Sequence, residues 1–375
     1  MRRNLLYRIA TRGKPDPELY EKMKNHPKLS AYLHVYHDLR PLDYFKRLIF
    51  PGPLIAIIRI LYIIVQFVLF SLLQRIIYFG VDLNTSSKPP ARWRRKLSQW
   101  SYRLIAFLCL PAAGIFRPEV IDHTKKRPKS KNAEDLPKFE WDQPWCIVAT
   151  HNSFLDVMLA TAYLGFPSTM TKDALFSVPC LGTILKASRS FVQYRNTKKS
   201  APKSSFDQLY ERQTQFKEND FTPLIYGEGT VGNGTCIGRF HKGCFVAGLP
   251  VRPVSISYPA KHCSMNTDTI EFLPCAYDIT CQFVNHMKIE IFDLYIPNEE
   301  EKKDPQLYAD NVGKLLANAQ NIPYRTDVDS RYKFITRDLA RGKITWDQAM
   351  EKLDELDRAN PNNTSTISSH HAKAA

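Results

Sequence analysis

Apolar positions change their spacing twice along this chain. Between 46 and 116 they run together. Leu54 to Leu73 reads LIAIIRILYIIVQFVLFSLL, broken only by Arg59 and Gln66. About 20 such residues in a helix cover a hydrocarbon core of about 30 Å. Arg59 stands near the N-terminal end, from which a long cationic side chain can snorkel to the interface. A second run, Leu104 to Phe116, is too short to span, holds Pro111 and follows Trp93, Trp100 and Tyr102. It reads as an interfacial helix or as a core helix. Basic residues flank the first run on both sides, so no orientation follows from them. A span and a re-entrant insertion both fit.

From Trp141 the pattern shortens and alternates. Cys146–Thr150, Phe191–Arg195, Pro223–Tyr226, Val251–Tyr258 and Met287–Ile296 are predicted strands. Phe154–Leu164, Pro179–Ser188 and Ser205–Lys217 are predicted helices, the last with Phe206, Leu209 and Phe216 on its apolar face. Residues 305–320 and 345–357 have the period of amphipathic helices. Strands alternating with helices predict an α/β fold, a mostly parallel sheet with helices on both faces, preceded by membrane-embedded N-terminal helices. The organisation expected is a basic N-terminal arm (1–45), a membrane-embedded helical region (46–116), a basic linker (117–140), the α/β domain (141–300), a C-terminal helical extension (301–358) and a disordered tail (359–375).

Charge narrows the partner class. Among 375 residues, 52 Lys+Arg face 37 Asp+Glu, a net charge of +15 that favours an anionic partner. The excess lies beside apolar segments and lacks the aromatic interleaving of single-strand binders, which argues against nucleic acid. Lys125, Lys126, Arg127, Lys129 and Lys131 suit anionic headgroups or a solvated loop equally. The N-terminal MRRNLLYRIATRGK is Arg-rich and has no apolar signal-peptide core, so an exposed basic arm is expected. Eight cysteines show no CxxC spacing; buried thiols in a reducing compartment are expected, with no metal site. Asn84, Asn233 and Asn363 stand in glycosylation triplets, and a glycan on Asn233 would block the candidate site.

The candidate chemistry follows two predicted strands. After Cys146–Thr150 comes His151-Asn-Ser-Phe-Leu-Asp156, and after Pro223–Tyr226 comes Tyr226-Gly-Glu-Gly-Thr230. Ligands of open α/β sheets bind beyond strand C-termini. If His151 ends a strand and Asp156 falls in the next helical turn, the carboxylate fixes the imidazole tautomer. The other ring nitrogen is then free as a general base. That is triad logic without the serine, so the nucleophile is the substrate's own hydroxyl. Ser153 with Asp156 also fits a plain capping box, and both readings stand at this level. Gly227 to Gly232 matches G-x-G-x-x-G, but neither the helix nor the acidic residue that a dinucleotide site needs follows it. A glycine loop with Arg239 and Lys242 nearby suits phosphate instead, and Arg195 is a further candidate phosphate contact.

Taken in order, His151-x4-Asp156, Val192-Gln-Tyr-Arg195, Tyr226-Gly-Glu-Gly-Thr230 and Val251-Arg-Pro253-Val resemble the four blocks of the glycerolipid acyltransferase superfamily. The stretches Thr235 to Pro259 and Pro297 to Val312 are similar to segments of its lysophosphatidylcholine acyltransferase group. The resemblance implies an acyl-CoA-dependent enzyme of the endoplasmic reticulum membrane, its catalytic domain cytosolic, that esterifies the sn-2 hydroxyl of a lysophospholipid. Lysophosphatidylcholine is the first expectation for that acceptor. Lysophosphatidate, lysophosphatidylethanolamine or a catalytically inactive lipid- or CoA-binding protein are the alternatives. It makes His151 the base, Asp156 its orienter, and Arg195, Glu228, Gly229 and Thr230 acceptor contacts. Pro253 would shape the acyl-CoA or structural side. Acyl-CoA serves as co-substrate, and no cofactor or metal is implied. Gly227 departs from the pattern, standing where the family usually has proline, and no EF-hand loop is present.

Overall fold

The computed structural model describes residues 14–37, 41–83, 89–125, 145–158, 162–193, 204–259, 264–265 and 269–359. Arg195, Asn84, Asn363, residues 1–13, most of the expected linker and the expected tail from 360 lie outside these residues. In chain order the helices are α1 (Pro17–Asn25), α2 (Pro27–Ser30), α3 (Pro41–Leu48), α4 (Gly52–Ile77), α5 (Arg92–Ala112), α6 (Leu155–Met158), α7 (Leu181–Ala187), α8 (Ser205–Thr214), α9 (Phe272–Cys281), α10 (Glu299–Lys303), α11 (Pro305–Gln320), α12 (Tyr332–Ala340) and α13 (Trp346–Arg358). The strands are β1 (Glu119–Asp122), β2 (Cys146–Ala149), β3 (Ser168–Lys172), β4 (Phe191–Gln193), β5 (Pro223–Tyr226), β6 (Ile237–Gly238), β7 (Val251–Ser257), β8 (Lys288–Ile291) and β9 (Tyr324–Arg325).

One 7-stranded sheet in the order β1-β8-β7-β2-β5-β3-β4 organises the chain. Every pairing in it is parallel except β7 with β8. The central strand β2 is buried throughout, and its residues alternate between two cores as a strand's period of two requires. Ile147 and Ala149 join Cys109, Leu110, Cys275 and Ile279 from α5 and α9. Cys146 and Val148 join Leu209, Tyr308, Val312 and Leu316 from α8 and α11. Helices therefore cover both faces, as the alternating sequence pattern implies. Each fully buried Val or Leu in these layers contributes about 1.5–3 kcal/mol.

Helix α11 forms where the sequence predicts it. Asp304 accepts from the backbone N–H groups of Gln306 and Leu307, Pro305 opens the first turn, and Asn321 ends the helix in the left-handed region at φ 53°. Other elements escape the pattern. β3 is Ser-Thr-Met-Thr-Lys, polar by composition, yet Ser168 is buried and donates to Ser188 O at 2.6 Å. β1 lies in the charged stretch read as linker and is a half-exposed edge strand. Within the predicted helix 154–164 the described helical turn is Leu155–Met158, and residues 159–161 lie outside the described residues. On α8 only Leu209 of the predicted apolar face is buried; Phe206 is exposed, and Phe216 lies beyond the helix end.

The exposed arm expected of residues 1–14 lies, but for Lys14, outside the described residues, and residues 14–37 of the expected 1–45 arm pack onto the domain. Tyr20, Met23, Leu29 and Tyr32 pack against Tyr332, Ile335 and Leu339 of α12 and Leu353 of α13. The apolar positions of α1 and α2, few as they are, all fall on that face. Lys28 pairs with Asp357 there, so part of the basic character is neutralised inside the packing.

Helix α4 is the one helix among the described residues long and apolar enough to cross a membrane. Only 22% of its most apolar stretch is buried, which sets it apart from a core helix. The covered stripe mixes small and polar residues (Gly52, Ala56, Gln66, Ser71, Gln74) with Phe70 and Ile77. Gln74 donates to Ser101 Oγ at 3.0 Å and accepts from Ser98 Oγ at 2.9 Å, both on α5. The other faces expose Leu54, Ile57, Ile58, Leu61, Val65 and Leu69. Arg59 does not snorkel. Its guanidinium donates to the carbonyls of Thr280 (3.0 Å), Gln282 and Phe283 (3.2 Å), closing the C-terminal end of α9. Carbonyls at a helix end have no partner within their own helix, and the helix dipole favours a cation there. The second apolar run belongs to α5: Cys109 and Leu110 enter the core, while Leu104, Phe107 and Leu108 stay exposed.

Candidate active site

Three neighbouring parallel strands, β5, β2 and β7, end on the same edge of the sheet. Ala149 pairs with Tyr226 in register and with Val254 on the other side. The residues just past each strand therefore meet.

His151 follows β2. Its Nδ1 lies 2.8 Å from Asp156 Oδ2, and since a carboxylate only accepts, Nδ1 is the donor. Its Nε2 has no hydrogen-bond partner among the described residues, and the side chain keeps 15% of its surface exposed. Asp156 is fully buried at the first turn of α6. Its Oδ2 also accepts from the backbone N–H groups of Asn152 (2.7 Å) and Ser153 (2.9 Å). Ser153 Oγ in turn accepts from Leu155 N at 3.3 Å. One carboxylate thus closes the helical turn and bonds to the imidazole, a geometry compatible with both readings.

Two tyrosines complete this centre, and the sequence pattern assigns neither a role. The ring of Tyr226, last residue of β5, stacks on His151 with centroids 4.0 Å apart and planes 17° from parallel. Its hydroxyl is buried without a hydrogen-bond partner among the described residues. Tyr258, just past β7, donates its hydroxyl to Asp156 Oδ1. Burial first, then the Asp156 charge, pushes both phenols well above their ordinary 10. Both stay protonated, and Tyr258 stays a donor. The strand-end rule that exposes His151 and the glycine loop is the available signal for Tyr258 as well.

The glycine loop folds back onto this centre. Gly232 N donates to the His151 carbonyl at 2.7 Å. Glu228 is buried, and its Oε1 accepts from Gly238 N at 2.8 Å, bracing the loop from within. Gly229 has φ +65°, and a Cβ there would lie 2.8 Å from the His241 ring. Thr230 is half-buried beside it. Asn233 ties the loop to the N-terminal segment, donating to Ser30 O (2.6 Å) and Leu33 O (2.9 Å).

The remaining candidates spread out. Arg239 points to Asp310, Nε to Oδ1 3.9 Å. Lys242 is exposed at the start of a short 3-10 turn. Pro253 lies within β7 opposite Val148, deep in the sheet, where its carbonyl accepts from Phe292 N at 3.1 Å. That is a structural position. Arg195 lies outside the described residues. Among the described residues no group of three or more His, Cys, Asp or Glu is placed to hold a metal ion. The thiols of Cys236 and Cys244 are buried, and burial raises both to about 12.

Gly227 has a local cause. A Cβ there would lie 2.5 Å from the Phe240 ring, and its N–H donates to Ala149 O at 3.1 Å. Phe240 is itself buried and has little room to give. Gly227→Ala is expected to cost about 1–3 kcal/mol through overpacking. Gly227→Pro additionally loses the bond to Ala149 and is expected to cost more. Thermal denaturation of the two variants beside wild type checks the order.

Behind α6 lies an apolar cleft walled by Phe70, Tyr102, Val157, Phe166, Thr169 and Ile184 among others. Tyr102 donates to Val157 O at 2.6 Å, one residue from Asp156. The cleft therefore lies beside the turn that carries Asp156.

This arrangement joins an imidazole to a buried carboxylate at a strand end, with one ring nitrogen open and an apolar cleft alongside. Residues 127–257 match the family model described as Acyltransferase. A lysophospholipid acyltransferase of Arabidopsis thaliana, LPEAT1, is 31% identical over 242 residues, covering 61% of this chain and 61% of that protein. Human lysophosphatidylcholine acyltransferase 1 is 31% identical over 244 residues, covering 63% of this chain and 41% of that protein. The crystal structure of the 1-acyl-sn-glycerophosphate acyltransferase PlsC from Thermotoga maritima aligns with a TM-score of 0.45 at 15% identity, over 71% of this chain and 98% of that one. The chain is similar to the Acyltransferase family over residues 127–257 and to these lysophospholipid acyltransferases over about three fifths of its length. It spans about three fifths of the length of the plant relative and about two fifths of the human one.

Proposed function

We propose that this protein transfers an acyl group from acyl-CoA to the sn-2 hydroxyl of a lysophospholipid, with lysophosphatidylcholine the first candidate acceptor. The carrying observation is the 2.8 Å contact of His151 Nδ1 with buried Asp156, which leaves Nε2 open at the end of β2. In this reading Nε2 takes the proton of the acceptor hydroxyl as its oxygen attacks the thioester carbonyl. The tetrahedral intermediate collapses, the carbon–sulfur bond breaks, and the CoA sulfur leaves with the proton returned from the imidazolium. Asp156 stabilises that imidazolium while it lasts. No covalent acyl-enzyme is needed, because the substrate supplies the nucleophile. The apolar cleft beside Val157 offers an acyl chain a route away from water.

The same reading puts the protein on a bilayer, as part of the endoplasmic reticulum membrane. Exposed apolar side chains of α4 continue into Tyr44, Phe45 and Ile49 around α3, Trp93 and Trp100 on α5, and Phe272 and Leu273 on α9. The stripe of α4 from Ala56 to Gln74 stays against the protein, which favours a helix embedded beside the domain. Purified protein in detergent, given a panel of lysolipids and acyl-CoAs, is expected to form diacyl lipid and release CoA in equal amounts. Release of CoA without diacyl product, or none with any acceptor, would overturn the reading.

A further inference from the structure

We propose that Tyr258 is a positioning residue of the His151–Asp156 pair, acting through the second oxygen of the carboxylate. The inference rests on the acyl-transfer reading for its kinetic arm only.

The two Asp156 oxygens are served unequally. Oδ2 accepts from His151 Nδ1, Asn152 N and Ser153 N. Oδ1 accepts from the Tyr258 hydroxyl and from no other donor among the described residues. The carboxylate is fully buried, so water does not replace a lost donor there. Rotation about the Cβ–Cγ bond moves both oxygens together, so the bond on Oδ1 opposes any turn that would lengthen the three bonds on Oδ2. It also anchors the pair to β7, whose next residue back, Ser257, pairs with Lys288 of β8. Three strands then hold one imidazole: β2 through the backbone, β5 through the Tyr226 ring, β7 through Tyr258.

A phenylalanine keeps the ring of Tyr258 against its apolar neighbours in the core beneath and removes only the donor. Tyr258→Phe is expected to lower kcat by about 10- to 100-fold, the scale of an ångström-level misplacement of a catalytic group. KM for acyl-CoA and lysolipid should stay within about twofold, since the hydroxyl faces the carboxylate and not the cleft. A second readout needs no turnover. In wild type the Nδ1 proton of His151 should give a downfield proton resonance, assigned by its loss in His151→Ala. In folded Tyr258→Phe that resonance should move upfield or broaden away. A folded variant with wild-type kcat and an unmoved resonance would overturn the proposal. If wild-type protein turns over no lysolipid, the acyl-transfer reading fails, and the resonance alone decides the role of Tyr258.

Discussion

Replacing His151 by alanine is expected to lower acyl transfer by about 10²–10⁴-fold, the contribution of a positioned general base, or about 3–5.5 kcal/mol of barrier. Among the described residues the side chain's only hydrogen bond is to Asp156, and Nε2 is left open. Alanine therefore removes the base without opening the core, and the melting temperature should move by no more than a few degrees. The Tyr226 ring loses its stacking partner, worth about 0.5–1.5 kcal/mol beyond area burial. Radiolabelled acyl-CoA with lysolipid, assayed on purified wild type and variant at matched concentration, checks the expectation. Retained activity in a folded His151→Ala protein would remove the base from this assignment.

Asp156→Asn is expected to lower kcat by about 10²–10⁴-fold while the fold holds. Its size matches aspartate, its carbonyl oxygen can still accept from His151, Asn152 and Ser153, and its amide can donate to the Tyr258 oxygen. What is lost is the negative charge opposite the imidazolium. The two readings of this residue separate here. A carboxylate that only caps α6 would leave kcat intact in the asparagine variant, because asparagine is as good a cap as aspartate. A carboxylate that orients and stabilises the imidazole would not. Asp156→Ala is the harsher variant. It strands three N–H donors and one hydroxyl in a buried site, so a loss of stability as well as of rate is expected. Paired measurement of kcat and melting temperature on both variants separates the roles.

The sheet is legible in the sequence where its strands are apolar. Cys146–Ala149, Pro223–Tyr226 and Val251–Ser257 match the predicted strands with errors of one residue or less, because they are largely buried on both faces. β3 is not legible, because burial is achieved there by hydroxyls that find carbonyl partners, and no hydropathy pattern records that. α9 is hidden for a related reason: Phe-Leu-Pro-Cys-Ala-Tyr carries a proline and no clear polar face. The N-terminal segment misleads through its charge. Its few apolar residues, Tyr20, Met23, Leu29 and Tyr32, find their partner surface on α12 and α13, at the far end of the chain.

At the site, spacing finds the polar pair but not what holds it. His151 and Asp156 are five positions apart, and the strand-to-helix junction between them is local. Tyr258 reaches Asp156 across 102 positions, which only the β2–β7 pairing makes near. The glycine loop is recognisable, yet Gly227 is explained only by Phe240, whose ring occupies the space of the missing side chain. Arg239 shows the converse. Proximity in sequence makes it a phosphate candidate, and the fold turns it toward Asp310.

The central claim is that His151, held by Asp156, activates a lysolipid hydroxyl against acyl-CoA. It is tested most directly by incubating purified protein with acyl-CoA labelled in the acyl chain and lysophosphatidylcholine in detergent, following lipid product and free thiol together. The account predicts one diacyl lipid per thiol released in wild type and neither product above background in His151→Ala. Thiol release that proceeds without lysolipid, or diacyl lipid formed equally by His151→Ala, would contradict it.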